Sequence, residues 1–113
     1  MVFESVLEKK GLVDFTSSQV QGIGSGFYVV GIEMKQHLTG IKFSCRIINT
    51  QSVRHRNVTF KIKIGEKEKD FTINMISPGN STSFTVYMPD IKPEDAHYGE
   101  ITYQQSSVEY YIK

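Results

Sequence analysis

The 113-residue chain lacks most of the features that reveal a protein's chemistry. Its single cysteine, Cys45, excludes an intrachain disulfide and a cysteine-based zinc site. Its 13 basic and 12 acidic side chains leave a formal charge of +1, too little for an overall field that attracts nucleic acid. No apolar run reaches membrane-spanning length, so we expect attachment to a membrane only through a segment absent from this chain.

What the sequence does have is a period-two alternation of apolar and polar residues from residue 27 onward. Such alternation is typical of strands that bury one face, and NVTFKIKI is the clearest case. The pattern predicts an all-β fold, a seven-stranded antiparallel β-sandwich. The predicted strands centre on residues 28–34, 41–47, 58–64, 71–75, 84–88, 98–104 and 107–113. Inward faces are predicted for Tyr28, Val30, Ile32 and Met34 on the first strand and for Phe71, Ile73 and Met75 on the fourth.

The stretch QGIGSGFYVVG has the glycine content of a phosphate-binding loop. A dinucleotide-binding loop would need glycine in place of Phe27 and a helix after it, but a strand pattern follows. A P-loop would need lysine after its last glycine, whereas Ile32 follows Gly31. We therefore interpret Gly22, Gly24 and Gly26 as a flexible lead-in and Gly31 as a bulge or bend, and we predict no cofactor.

The N-terminal segment has a different pattern from the rest of the chain. Residues 1–26 are predicted to be a lead-in to a sandwich formed by residues 27–113, within a single domain. Phe3, Val6 and Leu7 have helical spacing that Gly11 could end, whereas Leu12 to Phe15 could enter the sheet. The prediction is a short N-terminal helix or an extra strand.

The densest positive cluster is Arg54-His55-Arg56, which is predicted to lie in a loop between two strands. Arginine forms bidentate hydrogen bonds, so the cluster could bind a carboxylate, sulfate or phosphate of a partner. The alternative is an ordinary solvated loop. Tyr111, predicted to point outward, is a second candidate contact residue.

No catalytic or metal site emerges from the remaining polar residues. His37, His55 and His97 fall in three predicted loops and lack the spacing of metal ligands. Cys45 lies on the apolar face of a strand, where a thiolate is disfavoured. The predictions are therefore no enzyme, no metal and no cofactor.

Two tripeptides match the N-glycosylation pattern. Asn57 begins N-V-T at the start of a strand, and Asn80 begins N-S-T in a turn. They favour an extracellular or cell-surface location, while the composition leaves a cytoplasmic one open.

INTQSVRHRNVTFKIKI followed by SPGNSTSFTV resembles immunoglobulin-like and fibronectin type III-like sandwiches, including bacterial and archaeal cell-adhesion modules. In these an asparagine closes one strand, and a Pro-Gly turn precedes a strand of the form S-x-T/S-F/Y-x-V. TSFTVYMPDIKPEDAHY is similar to their strand, loop and tyrosine segment, which places Ile91, Pro93 and Tyr98 in the corresponding roles. The resemblance implies an immunoglobulin-like sandwich in which Tyr98 is a corner tyrosine hydrogen-bonded to the loop backbone.

Sandwiches of this kind are mostly binding or structural modules. We therefore expect a non-enzymatic protein-interaction or structural domain of a cell-surface or envelope assembly. Its partner would be another protein or a second copy, as in a homodimer, docking through an edge strand or exposed tyrosines. The alternative is an accessory carbohydrate- or anion-binding domain of a larger enzyme that uses Arg54 and Arg56.

Overall fold

The computed structural model describes residues 11–110, which fold into two antiparallel four-stranded sheets packed face to face. Sheet A has the order β1-β8-β5-β6 and sheet B the order β2-β3-β4-β7. The strands are β1 (Leu12–Asp14), β2 (Gln21–Gly24), β3 (Phe27–His37), β4 (Gly40–Asn49), β5 (Val53–Ile64), β6 (Lys67–Ile76), β7 (Ser81–Met88) and β8 (Tyr98–Tyr110). A single 3₁₀ turn, Pro93–Asp95, precedes β8. No helix within residues 11–110 is long and apolar enough to cross a membrane.

The all-β sandwich is confirmed, but the described residues form eight strands rather than seven. The last two predicted strands are one continuous strand, β8, because its pairing with β5 resumes after a bulge near Gln105. Two further strands, β1 and β2, come from residues before the predicted sandwich. The extra strand expected near Leu12 is therefore present, whereas the predicted N-terminal helix falls in residues 1–10, outside the described residues.

The glycine stretch forms a hairpin instead of a flexible lead-in. Gln21–Gly24 is a strand, and Gly24 pairs with Phe27 across the two-residue loop Ser25-Gly26. Both loop residues have positive φ, 56° and 82°, as a type I′ turn requires. The lead-in prediction was wrong because glycine at alternate positions does not prevent pairing when the neighbouring strand supplies the apolar side chains.

A bulge at Gly31 reverses which face of β3 is buried. The β3–β4 register shifts between Val30 and Glu33, and Gly31 has φ +67°. Before the bulge Phe27 and Val29 are buried, and after it Ile32 packs against the core. The bulge prediction is confirmed, but the inward assignment of Tyr28 and Val30 was wrong because it counted straight through the bulge.

A second change of face occurs in β5 and β6 at Asn57, which has φ +52°. His55 and Val58 are both buried although they are three residues apart, and so are their cross-strand partners Ile76 and Ile73. Met75, predicted inward, is 39 % exposed as a result.

Aromatic rings form a continuous series through the core and join the two sheets. Its centre is the stacked pair Phe71 and Phe84, whose ring centroids lie 3.9 Å apart. From there the series continues to both ends of the sandwich, through the further pairs Phe43–Phe84, Phe15–Phe43, Phe60–Phe71, Phe27–Phe60 and Phe27–Tyr103. Aromatic packing of this kind adds to the burial of apolar area and favours one arrangement of the two sheets.

Asn49 connects the sheets at one end of the sandwich. Its side chain is fully buried, and Nδ2 donates hydrogen bonds to the carbonyls of Val53 (2.9 Å) and Ile76 (3.2 Å). Oδ1 accepts from Gln51 N, and the Asn49 carbonyl accepts from Gly79 N at 2.8 Å. Gly79 has φ +72°, which fits the predicted type II turn before β7.

Tyr98 does not have the corner role that the family resemblance implies. Tyr98 is 70 % exposed, and no residue within 11–110 hydrogen-bonds its hydroxyl. Gly99 and Ile101 face the core, and the ring of Phe15 lies directly against Gly99, so alternation turns Tyr98 outward. The immunoglobulin-like strand order is likewise not confirmed.

We expect Asn49→Ala to lower the free energy of unfolding by about 2–4 kcal/mol, because it leaves two buried carbonyls without their donor. Asn49→Asp should be comparably harmful, since a carboxylate cannot donate to those carbonyls. Asn74→Ala, at an exposed position of β6, is the control and should change stability by less than about 0.5 kcal/mol. Urea denaturation measures all three, and equal stability of the Asn49 and Asn74 variants would contradict the role of Asn49.

Candidate functional site

The Arg54-His55-Arg56 cluster lies within strand β5, so its prediction as a loop was wrong. Val53–Arg56 pairs with Ser107–Tyr110 of β8, and together these segments form what we call the β5–β8 end. Three consecutive polar residues are typical of a loop. Here each of the three has a cross-strand partner in β8, so the segment is a strand. Tyr111, the other predicted contact residue, lies outside the described residues.

On the outward face of the β5–β8 end, both arginines are close to Glu109. Arg56 Nε lies 2.6 Å from Glu109 Oε1, and Arg54 Nη1 lies 3.8 Å from the same oxygen. An external anion would have to compete with this carboxylate for the guanidinium groups. Because exposed ion pairs contribute at most about 1 kcal/mol, the cluster is held mainly by the strand backbone.

On the inward face, His55 is only 4 % exposed and belongs to the core. Its ring makes edge contacts with Phe27 (4.9 Å between centroids) and with Tyr103 (6.1 Å). Nδ1 lies 2.7 Å from Ser106 Oγ, which is also 2.7 Å from the Tyr103 hydroxyl. The result is a short hydrogen-bonded series of tyrosine, serine and histidine between the sheets.

This series is suited to packing rather than to catalysis. His55 Nε2 is buried and has no hydrogen-bond partner among the described residues, so no carboxylate orients the imidazole as a base. Burial lowers the pKa of His55, because the apolar surroundings disfavour the charged ring. The imidazole is therefore kept neutral inside the sandwich.

The other predicted candidates remain apart from one another. His37 lies at the end of β3 and His97 just before β8, and both are exposed. Within residues 11–110 no group of three or more histidine, cysteine, aspartate or glutamate side chains could hold a metal ion. Asn57 and Asn80 are both exposed, and their glycosylation stays a prediction.

A shallow apolar cavity of about 410 Å³ lies beside β1 and the start of β8. Leu12 (39 % exposed) and Tyr98 line it, together with Asp14 and Gln21. No local pattern in the sequence marks this cavity, because the exposed position of Tyr98 follows from packing against Gly99.

We expect the stability of the protein to fall as the pH decreases below about 6.5. Since the pKa of His55 is lower in the folded state than in the unfolded state, the unfolded chain binds the proton first and stability is complete only above that pH. His55→Phe keeps a ring in the core and should flatten the pH dependence between about pH 5 and 7. Thermal midpoints across this range test the prediction, with His37→Gln as the exposed-histidine control. An unchanged pH profile in His55→Phe would contradict it.

We expect Cys45 to be unreactive in the native protein. It is buried between Phe43 and Ile47 along β4, and burial raises the pKa of its thiol to about 12, so almost no thiolate exists at pH 8. A thiol reagent at pH 8 should label the native protein slowly and the urea-unfolded protein at once. Rapid labelling of the native protein would contradict the buried position.

Comparison with known proteins gives a relationship of fold alone. No protein-family model matches the chain, and no curated protein matches it by sequence. Among solved structures, the chain is similar to the Salmonella enterica trimeric lipoprotein SadB, with a TM-score of 0.74. The sequences are 13 % identical, and the match covers 96 % of this chain and 68 % of SadB. The fold of this chain is therefore that of a β-domain present in a bacterial trimeric lipoprotein.

Proposed function

We propose that the chain is a non-enzymatic interaction domain of a bacterial cell-envelope assembly and that it self-associates as a trimer. The observation that carries this proposal is the similarity in fold to SadB over 96 % of the chain. The homodimer expected from the sequence gives way to a trimer in this proposal, because the similar structure is trimeric.

The distribution of polar groups supports a non-enzymatic role. Within residues 11–110 the buried polar side chains are Asn49 and His55, and both hydrogen-bond within the fold. On the outer face of sheet A, Lys61 and Lys63 lie 3.6 and 4.0 Å from Glu68. Charges that are paired with one another in this way are typical of a solvent-exposed face and not of a substrate-binding site.

An envelope location is consistent with the same comparison. The described residues contain one cysteine, and it is buried and reduced, so the fold needs no oxidising compartment for its stability.

We expect sedimentation equilibrium over about 1–100 µM to show an equilibrium between one chain and three. One chain has a mass of 12.9 kDa, so the larger species should have three times that mass. A single 12.9 kDa species at every concentration, or a dimer that persists at the highest one, would contradict the proposed trimer.

A further inference from the structure

The hairpin between β3 and β4 ends in a turn that carries the most exposed large apolar side chain of residues 11–110. Leu38 is the first residue of the two-residue loop Leu38-Thr39, and it is 75 % exposed. Residues 35–39 are all exposed, whereas Gly40 is buried close to the Met88 carbonyl. We call residues 35–42 the β3–β4 tip. Its apex presents a leucine to the surroundings instead of the polar residue that is usual in a turn.

The backbone of Leu38 has a conformation that disfavours leucine. Its φ is +53°, in the left-handed region. Hairpins with two-residue loops need a positive φ at the first loop position, where glycine, asparagine or aspartate is usual. The β2–β3 hairpin meets the same need with the small residues Ser25 and Gly26. A bulky side chain that is both strained and exposed does not stabilise the fold, and this points to a function outside it.

The strands next to this turn place two lysines directly opposite each other. Lys35 and Lys42 are register partners on the outward face of sheet B, and both are exposed. Like charges in this position repel. Among residues 11–110 no carboxylate lies within 4.0 Å of either ammonium group. The strands of sheet B hold one acidic side chain, Glu33, against three of lysine and arginine. The formal charge of +1 for the whole chain conceals this local excess.

A third component of the tip is an aromatic ring with a hydroxyl group. Tyr87 of β7 is the register partner of Lys42, and its ring lies edge-on to His37 at 5.4 Å between centroids. The Tyr87 hydroxyl lies 3.3 Å from Thr39 Oγ1, beside the apex. Lys69 Nζ donates to the Tyr87 carbonyl (2.9 Å), which brings a further cation to this end. An apolar apex with lysines and a tyrosine behind it is typical of segments that enter the headgroup region of a bilayer.

The tip lies away from both described ends of the chain. β3 begins at the β5–β8 end, where Phe27 packs on His55, and it runs from there to the tip. The last described residue, Tyr110, belongs to that same β5–β8 end. The first, Gly11, lies at the far end of β1, because this strand runs toward Phe15, which packs on β4 next to the tip. Within residues 11–110 the tip is therefore accessible to a large flat surface.

We propose that the β3–β4 tip docks on a bilayer surface that contains anionic phospholipids, with Leu38 among the headgroups and Lys35 and Lys42 against their phosphates. Leucine supplies the apolar contact and the lysines supply the attraction, so binding weakens as the salt concentration rises. This contact uses the chain's own residues and is additional to attachment through a segment absent from this chain. It rests on the proposed envelope location and does not require the trimer, although three tips would bind a membrane more tightly than one.

The position of the apex can be followed by fluorescence, because the chain contains no tryptophan. Emission of Leu38→Trp should shift to the blue when vesicles of phosphatidylcholine with about 30 % phosphatidylglycerol are added, and vesicles of phosphatidylcholine alone should have a smaller effect. Met75→Trp is the matched control. Met75 is 39 % exposed on β6 in the other sheet, and its replacement should give no shift.

Cosedimentation with the same vesicles measures what each part of the tip contributes. Leu38→Gly should weaken binding at least about fivefold while the thermal midpoint stays equal or rises, because glycine tolerates a positive φ. Lys35→Gln combined with Lys42→Gln should also weaken binding at least about fivefold. Lys61→Gln combined with Lys63→Gln makes the same change of charge on the outer face of sheet A and should alter binding less than about twofold.

The proposal is overturned if the wild type does not bind anionic vesicles at about 1 mM lipid, or if Leu38→Gly binds like the wild type. Equal blue shifts in both tryptophan variants would mean adsorption without a preferred site and would also overturn it. If soluble glycerol phosphate displaces the wild type from vesicles at the same phosphate concentration, the lysines bind a free anion and not a bilayer. A chain that is monomeric in sedimentation but binds vesicles as described supports this proposal and contradicts the trimer. A trimer that does not bind vesicles overturns this proposal alone.

Discussion

The buried amide of Asn49 holds the two sheets together at one end of the sandwich, and the positions of four strands depend on it. Asn49 ends β4 in sheet B, and its side chain donates to the first residue of β5 and the last residue of β6 in sheet A. Its main chain binds the turn that leads into β7. Asn49 therefore fixes the position of sheet A relative to sheet B at this end. Any other position would leave the carbonyls of Val53 and Ile76 without their hydrogen-bond donor, which costs free energy.

From that junction the alternation of side chains propagates along each strand until a bulge interrupts it. In β4 no bulge intervenes from Ile41 to Ile47, and the inward face read from the sequence is correct, including the position of Cys45. In β3 the prediction of the buried face failed before the Gly31 bulge, at Tyr28 and Val30. In β6 it failed at Met75, where the face changes opposite Asn57 although the β5–β6 register is unbroken. Glycine marked one bulge in advance. The change of face at Asn57 was missed, because asparagine tolerates a positive φ better than most residues but does not by itself predict one in a polar segment.

The candidate site was harder to predict because its contacts join residues that are distant in sequence. Glu109 lies 53 residues from Arg56, and Ser106 lies 51 residues from His55. A local pattern shows R-H-R-N as four polar residues, which is equally typical of a loop. Only the pairing of β5 with β8 distinguishes an outward ion pair from an inward, neutral imidazole. The residue types predicted which interactions each side chain could make. The face of the sheet on which each side chain lies depended on the pairing of β5 with β8.

At the β5–β8 end, sheet A extends further than sheet B covers it. Phe27 at the start of β3 is the last ring of sheet B in the aromatic series, and it packs on His55 and Tyr103. Val108, the cross-strand partner of His55, lies on the same inward face and is 41 % exposed. Phe27 therefore marks the limit of the core at this end, and the neutral imidazole of His55 lies at that limit, where it still packs against two aromatic rings.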